Sequence, residues 1–200
     1  LDGQPAGECR KPVALDATGN ADAVYEVPLS IFQPWSPETP SLYVAEVTLF
    51  SGDTPIHGWN ERFGVRKIEV RGKQFYLNGA PCFTRGFGDD YIYPITFISP
   101  PDTEEHRQHL MKAREAGFNL VRLHTHCEIP EYYEAADEAG IMIQTELPYY
   151  HDITPEGFEF DPKRDIQELY RHYRRYVSFT TYCTGNEGYL GSPIDREIYQ

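Results

Sequence analysis

The last two-thirds of the chain alternates short apolar segments with amphipathic ones, and this alternation restricts the possible folds more than any other feature. Helical patterns cover Asp102–Gly117, Pro130–Ala139 and residues 162–176, and segments typical of strands lie between them. Strand–helix alternation in units of about 30 residues predicts parallel strands covered by helices. Four such units are about half of the eight that close a barrel. We therefore expect residues 67–200 to form the first half of a (β/α)8 TIM barrel within a longer polypeptide.

The predicted strands of this region are short, apolar and rich in β-branched or aromatic residues. An open α/β sheet is the alternative architecture, although the chain has no glycine-rich phosphate loop to support it. The four strand segments are Cys82–Phe87, Asn119–His126, Ile141–Glu146 and the segment that begins at Phe179.

The first third of the chain has the pattern of an antiparallel β-sandwich. Ala23–Leu29 and Leu42–Phe50 alternate apolar and polar residues, and Ser51–Asp53 follows as a turn. Three or four strands can be counted here, fewer than the roughly seven of an immunoglobulin-like domain. Two further strands, Phe63–Gly72 and Gln74–Gly79, form a predicted hairpin at the start of the second domain. We expect domains at residues 1–66 and 67–200, the first a partial β-sandwich.

Composition excludes several functional classes. The formal net charge is -13, and the chain has no basic run that would release counterions from a phosphate backbone, which argues against nucleic acid as a partner. No window of about 18 consecutive apolar residues is present, so no membrane-spanning segment is expected. The four cysteines are widely spaced, which excludes zinc-ribbon and thioredoxin motifs.

Polar and ionisable residues stand at the carboxyl ends of all four predicted parallel strands, where active sites of β/α barrels lie. Strand alternation predicts that Arg122, His124 and His126 share one face and that Gln144 and Glu146 share another. The apolar faces must pack on helices, so these side chains are expected in the mouth of the barrel. The candidate site residues are Asp89, Asp90, Arg122, His124, His126, Glu146, Asn186 and Glu187.

Two of these residues also permit a different interpretation. A His-x-His pair on a strand places two imidazoles on one face, and Cys127 and Glu128 directly follow His124 and His126. Such a set could hold a metal ion, but the spacing is weakly specific. We expect hydrogen-bonding histidines and neither a metal nor a cofactor.

The order of the motifs resembles that of glycoside hydrolase family 2, the family of β-galactosidases, β-glucuronidases and β-mannosidases. The resemblance extends from about Trp35 to Gly188 and rests on seven matches in the family's order. These are Trp-Ser-Pro-Glu-x-Pro-x-Leu-Tyr at Trp35–Tyr43, Phe63–Arg66, Phe75–Gly79, Thr84–Gly86, Lys112-x4-Gly-x-Asn-x-Val-Arg122, Asp137-Glu-x-Gly140 and Gly185-Asn-Glu187.

The resemblance implies a retaining exo-β-glycosidase acting on a glycoside or oligosaccharide, with an immunoglobulin-like domain before the barrel. Glu187 would be the general acid/base, Asn186 would bind the sugar 2-hydroxyl, and Arg122 would orient carboxylates in the mouth. The nucleophilic Glu of this family ends the seventh strand and would lie beyond Gln200, so we expect these 200 residues alone to be inactive. An oligomer is compatible with the resemblance. A parent enzyme that degrades polysaccharides would favour the periplasm or the cell exterior over the cytoplasm.

The sequence departs from better-known members at two sugar-contacting positions. Leu123-His-Thr-His126 stands where Ser-His-Tyr-Pro is usual, and Gly88-Asp-Asp90 stands where Asn and His are common. The resemblance therefore does not imply a particular sugar. A non-catalytic carbohydrate-binding relative of the same fold and an open-sheet interaction module are the alternative functions.

Overall fold

The computed structural model describes residues 3–148 and 161–187 and divides the chain into two compact units, Leu1–Gln33 and Pro34–Gln200. In the first unit, residues 3–33 form neither helix nor strand. The strand predicted at Ala23–Leu29 is therefore wrong. Its alternation is real, but no described segment pairs with it, and Val24 is 92% exposed. A strand needs a neighbour to satisfy its backbone hydrogen bonds.

The second unit opens with an antiparallel two-stranded ribbon, β1 (Tyr43–Ser51) and β2 (Thr54–Phe63). The predicted turn is confirmed, since Gly52 lies between the strands with a φ of 62°. The described part of residues 1–66 thus contains two strands rather than the expected three or four. The predicted Phe63–Gly72 strand is also interrupted after Phe63.

A three-stranded antiparallel sheet follows, with β3 (Ile68–Arg71), β4 (Gln74–Leu77) and β5 (Ala80–Cys82). The predicted Asn-Gly turn is confirmed: Asn78 and Gly79 both have positive φ, 52° and 84°, as a type I′ turn requires. The single strand predicted at Cys82–Phe87 is wrong because its two ends join different sheets. Residues up to Cys82 pair with β4, whereas those from Gly86 onward pair with a parallel strand.

The remaining strands form a parallel sheet in the order β6-β7-β8-β9, and a helix follows each of the first three strands. This confirms the predicted alternation, and the described strands show no reversal of order such as an open doubly wound sheet contains. The elements are β6 (Gly86–Asp89), α1 (Thr103–Glu115), β7 (Leu120–Leu123), α2 (Pro130–Ala139), β8 (Met142–Glu146), α3 (Pro162–Tyr173) and β9 (Phe179–Cys183).

Local sequence signals explain where these helices begin and end. The Asp102 side chain accepts a hydrogen bond from the backbone N–H of Glu104, which caps α1. Pro130 occupies the first turn of α2, and Gly140 ends that helix with a left-handed φ of 72°. Both helices therefore lie where the sequence predicts them. No helix in the described ranges has the length and apolar character needed to cross a membrane.

The apolar core lies between the parallel sheet and its helices. Val121, Leu123 and Ile143 are fully buried against α1, α2 and α3. A second apolar cluster, which includes Met142 of β8, contains the fully buried Trp35. The indole Nε1 of Trp35 donates to the Asp137 carbonyl at 2.8 Å. The segment before β1 is thereby fixed to the end of α2.

Asp137 has a buried carboxyl whose ionisation destabilises the folded state. Its Oδ1 accepts the backbone N–H of Ser178 at 2.7 Å, yet burial raises its pKa to about 6. The folded state therefore binds this proton more tightly than the unfolded state does. The contribution of Asp137 to stability is greatest below pH 4 and falls as the pH rises through about 6.

We expect Asp137→Asn to remove this loss because an amide oxygen still accepts from Ser178 without ionising. The free energy of unfolding of the variant minus that of wild type should therefore increase by about 2 kcal/mol from pH 4.5 to pH 7.5. Urea unfolding of the full-length polypeptide at both pH values measures the change. Glu115→Gln, at an exposed position, is the charge-matched control. A difference between variant and wild type that does not change with pH would contradict the expectation.

Candidate active site

The candidate site lies at the carboxyl ends of the parallel strands, where β7, β8 and β9 bring three predicted residues into direct contact. The Arg122 Nε donates to Glu146 Oε2 at 2.8 Å, and its Nη2 donates to Glu146 Oε1 at 3.2 Å. The same Nη2 donates to Asn186 Oδ1 at 2.7 Å. One guanidinium therefore joins the tips of three neighbouring strands, and we call these residues the arginine cluster.

Glu146 is the buried member of the arginine cluster. Its side chain has no exposed surface, whereas 39% of the Arg122 side chain is exposed. A fully buried carboxylate is costly unless it is paired and hydrogen-bonded. Arg122 supplies that pairing, and Glu146 in turn raises the pKa of Arg122 above its usual value. Charge-assisted bonds from a rigid guanidinium fix both groups in one geometry.

The backbone after β7 also depends on Glu146. Thr125 has a φ of 60°, which is unfavourable for a β-branched residue. Its backbone N–H donates to Glu146 Oε1 at 3.2 Å. The predicted strand to His126 is wrong because β7 ends at Leu123 and a turn follows. The two histidines therefore do not continue the face that Arg122 occupies.

Asn186 and Glu187 follow β9 and differ sharply in exposure. Asn186 is buried and held by Arg122, whereas Glu187 is exposed. Glu187 has a φ of 54°, and a left-handed conformation of this kind costs a non-glycine residue about 1 kcal/mol. The chain thus presents a solvent-accessible carboxyl directly beside a fixed amide. Gly188 of the predicted motif lies outside the described residues.

His124 and Asp90 form a separate pair at the same edge of the sheet. His124 Nδ1 lies 2.5 Å from Asp90 Oδ1, and both side chains are exposed. With Nδ1–H donating to the carboxylate, the imidazole Nε2 is oriented by that bond. The structure brings these two predicted residues together. Among the described residues no hydrogen bond joins them to the arginine cluster, although the charge of Asp90 contributes to the raised pKa of Arg122.

His126 belongs to a buried polar group that the sequence did not single out as a unit. Its Nδ1 donates to the His124 carbonyl at 3.0 Å, and its Nε2 lies 3.7 Å from Glu128 Oε1. That nitrogen is buried and has no hydrogen-bond partner among the described residues. Burial opposes the charged imidazole, but Glu128 and the His124 carbonyl together raise the pKa of His126.

Glu128 is the centre of this second group. It accepts hydrogen bonds from the hydroxyls of Tyr93 at 2.6 Å and Ser99 at 2.8 Å. Burial alone would raise its pKa, but the nearby His126 imidazole and the hydrogen bonds from Tyr93 and Ser99 lower it. The sequence grouped Glu128 with His126 only as possible metal ligands, and it gave no signal for the hydroxyls of Tyr93 and Ser99. The described residues contain no group of three or more His, Cys, Asp and Glu arranged to hold a metal ion.

Asp89 lies on the opposite side of the sheet from the expected mouth. Because strand residues alternate, it shares the face of Phe87, which packs in the core with the helices. Tyr132 of α2 donates its hydroxyl to Asp89 Oδ2 at 2.9 Å, and His109 of α1 lies 3.8 Å from the same oxygen. The expectation that the Asp89 side chain joins those at the other strand tips is therefore wrong, whereas its neighbour Asp90 pairs with His124.

Comparison with known proteins places the chain in a family. Residues 3–66 match the family described as Glycosyl hydrolases family 2. A β-galactosidase of Aeromonas hydrophila is 30% identical over an alignment 209 residues long, and this alignment covers 96% of this chain and 20% of the relative. The chain belongs to glycosyl hydrolases family 2. Its motifs resemble those of that family, and the comparisons confirm the resemblance.

Other family 2 proteins give the same result. A putative β-glucuronidase of Formosa agariphila is 29% identical over 157 residues, covering 78% of this chain and 19% of the relative. The crystal structure of Bacteroides uniformis β-glucuronidase superimposes with a TM-score of 0.67 and 25% identity, over 82% of this chain and 20% of that one. The chain spans about a fifth of the length of these relatives.

The family 2 match and the candidate site occupy different parts of the sequence. The matched residues 3–66 end before β6. The alignment with the Aeromonas protein covers 96% of the chain, so it must include the arginine cluster and Glu187. The family relationship therefore extends to the segment that carries the candidate site.

We expect Glu146→Gln to destabilise the protein by about 2 kcal/mol. The amide cannot neutralise Arg122 and offers one acceptor oxygen in place of two. Chemical denaturation of the full-length polypeptide measures the loss. Gln144→Ala, two residues earlier on the same strand, is the control and should cost less than about 1 kcal/mol. Equal losses for both variants would show that the ion pair contributes nothing beyond packing.

Proposed function

We propose that these residues supply the acid/base half of the active site of a retaining exo-β-glycosidase. The observation that carries the proposal is the arginine cluster, which fixes Asn186 at the tip of β9 directly beside the exposed carboxyl of Glu187. A proton donor held next to a fixed amide suits glycosidic-bond chemistry, because the amide positions a sugar hydroxyl while the acid protonates the leaving oxygen.

The proposed architecture follows from the order of the strands. Residues 67–200 would contribute the first four units of a (β/α)8 barrel, and residues 1–66 would belong to an immunoglobulin-like domain that precedes it. A sequential parallel sheet with its polar residues at the carboxyl ends supports this assignment. The fold shared with a β-glucuronidase structure supports it as well.

In the proposed mechanism, Glu187 protonates the glycosidic oxygen as the bond to the sugar breaks, and later removes a proton from the attacking water. Asn186 binds the 2-hydroxyl, and Arg122 holds Asn186 in place through Nη2. Retention needs a second carboxylate at about 5 to 5.5 Å. By family resemblance that Glu ends the seventh strand, so four units alone should not turn over substrate.

The remaining strand-tip residues are proposed to contact the carbohydrate. The Asp90–His124 pair is exposed at the same edge as Glu187 and offers an oriented imidazole to a sugar hydroxyl. Relatives named β-galactosidase and β-glucuronidase make β-galactosides and β-glucuronides the first substrates to test. Asp89, bound to Tyr132, is proposed to stabilise the sheet and not to bind sugar.

Replacement of Glu187 by Gln tests the proton-donor role. We expect the full-length variant to lose at least about 100-fold in kcat/KM on methyl glycosides, whose leaving group needs protonation. On 2,4-dinitrophenyl glycosides of the same sugar the loss should be much smaller, because that leaving group departs as a stable anion.

Glu105→Gln, an exposed position on α1, is the matched control and should leave both rates unchanged. Equal losses of Glu187→Gln on the two substrates would contradict the acid/base assignment. A wild-type protein that binds these sugars without hydrolysing any glycoside would instead support the non-catalytic relative.

A further inference from the structure

The loop between β6 and α1 combines a fixed backbone with an exposed apolar surface. We call residues 91–99 the apolar loop. Four of its large side chains are mostly in water: Ile92 is 75% exposed, Ile95 88%, Phe97 82% and Ile98 64%. Contiguous exposed apolar groups of this kind usually mark a binding surface.

The apolar loop is held from beneath by the buried Glu128. Tyr93 and Ser99, from the two halves of the loop, donate to its two carboxylate oxygens at 2.6 and 2.8 Å. The backbone N–H of Phe97 donates to the Tyr93 carbonyl at 2.8 Å. The loop therefore presents its apolar side chains from an ordered base.

Two residues of the apolar loop adopt an unfavourable backbone conformation. Tyr91 and Phe97 have φ values of 58° and 63°, a region that bulky side chains avoid. The Glu128 bonds and the Phe97–Tyr93 turn hold the loop in this shape. A relaxed backbone would lower the strain, so the retained shape is consistent with a role for the surface that it forms.

The apolar loop begins inside the candidate site. Asp90, which pairs with His124, directly precedes it. The Tyr91 ring meets the His126 ring edge to face, with centroids 5.1 Å apart. The surface is therefore continuous with the residues proposed to contact the sugar.

The composition of this segment selects among ligands. Residues 91–101 include no charged side chain, although 24% of the whole chain is charged. A charged leaving group would find no ion-pair partner on this segment, whereas an alkyl or aryl group could cover its isoleucines and phenylalanine. Burial of apolar area would then favour binding.

We propose that the apolar loop is the leaving-group subsite of the enzyme and selects glycosides with an uncharged apolar aglycone. This inference rests on the proposed glycosidase function. It assigns specificity for the departing group to Ile95 and Phe97, which do not belong to the arginine cluster. Glu128 acts as a positioning residue, because it touches the loop and not the substrate.

Octyl and methyl β-glycosides of one sugar test the proposal, since both release an aliphatic alcohol that Glu187 must protonate and differ chiefly in apolar length. In the full-length enzyme, Phe97→Ser and Ile95→Ser should each lower the octyl-to-methyl ratio of kcat/KM by about tenfold. The change should appear as a higher KM for the octyl glycoside, because this contact is made equally before and during reaction. Val70→Ser, at a 66% exposed position on β3, is the matched control and should leave the ratio unchanged.

Tyr93→Phe tests the hydrogen bond that holds the loop separately from the exposed apolar side chains, because it removes only the hydroxyl that binds Glu128. It should lower the octyl-to-methyl ratio while the kcat for the methyl glycoside stays constant.

A ratio within twofold of wild type in both serine variants would overturn the subsite. If those variants also changed the sedimentation coefficient, the loop would be an interface between copies of the chain. Failure of wild type to hydrolyse any glycoside would overturn the proposed function itself.

Discussion

The geometry of the candidate site depends on one ion pair, between Arg122 and the fully buried Glu146. Removing a carboxylate from water costs several kcal/mol unless a charged donor compensates it. Because the guanidinium is planar and carries donors on three nitrogens, it can satisfy both Glu146 oxygens and still reach Asn186. A lysine has a single nitrogen and could not span the same three strands. The pairing of β7, β8 and β9 therefore determines where the amide beside Glu187 stands.

Three glutamates at the carboxyl end of one sheet have three different environments. Glu146 is buried against a permanent cation, Glu128 is buried against neutral hydroxyls and a histidine, and Glu187 is exposed. Only a carboxyl that substrate can reach is able to exchange a proton with it. The two buried carboxylates act instead on their neighbours, Glu146 on the turn at Thr125 and Glu128 on the apolar loop.

The elements with strong local signals could be predicted from the sequence. The bounds of α2 follow from Pro130 and Gly140, and the Asn78-Gly79 turn follows from its residue types. The joining of Arg122, Glu146 and Asn186 could be expected from strand alternation and strand order. The ends of the strands could not be predicted from the sequence. The alternation of β7 continues through His126, but the strand ends at Leu123 because a turn with the left-handed Thr125 follows. Asp89 was misplaced because both aspartates were assigned to the mouth, although strand alternation puts Asp89 on the same face as the apolar Phe87.

The opposite end of the same strands connects the candidate site to the rest of the second unit. The Arg66 Nε donates to the Val177 carbonyl at 2.7 Å, and its Nη2 donates to the carbonyl of Phe179, where β9 begins. Gly64 is needed here because a side chain would meet Val177 at 2.7 Å. β9 ends four residues later at Cys183, and Asn186 lies three residues beyond that end. A strand fixed at its first residue by Arg66 and beyond its last by Arg122 has little freedom to slide. The segment before the parallel sheet therefore stabilises the position from which Glu187 would act.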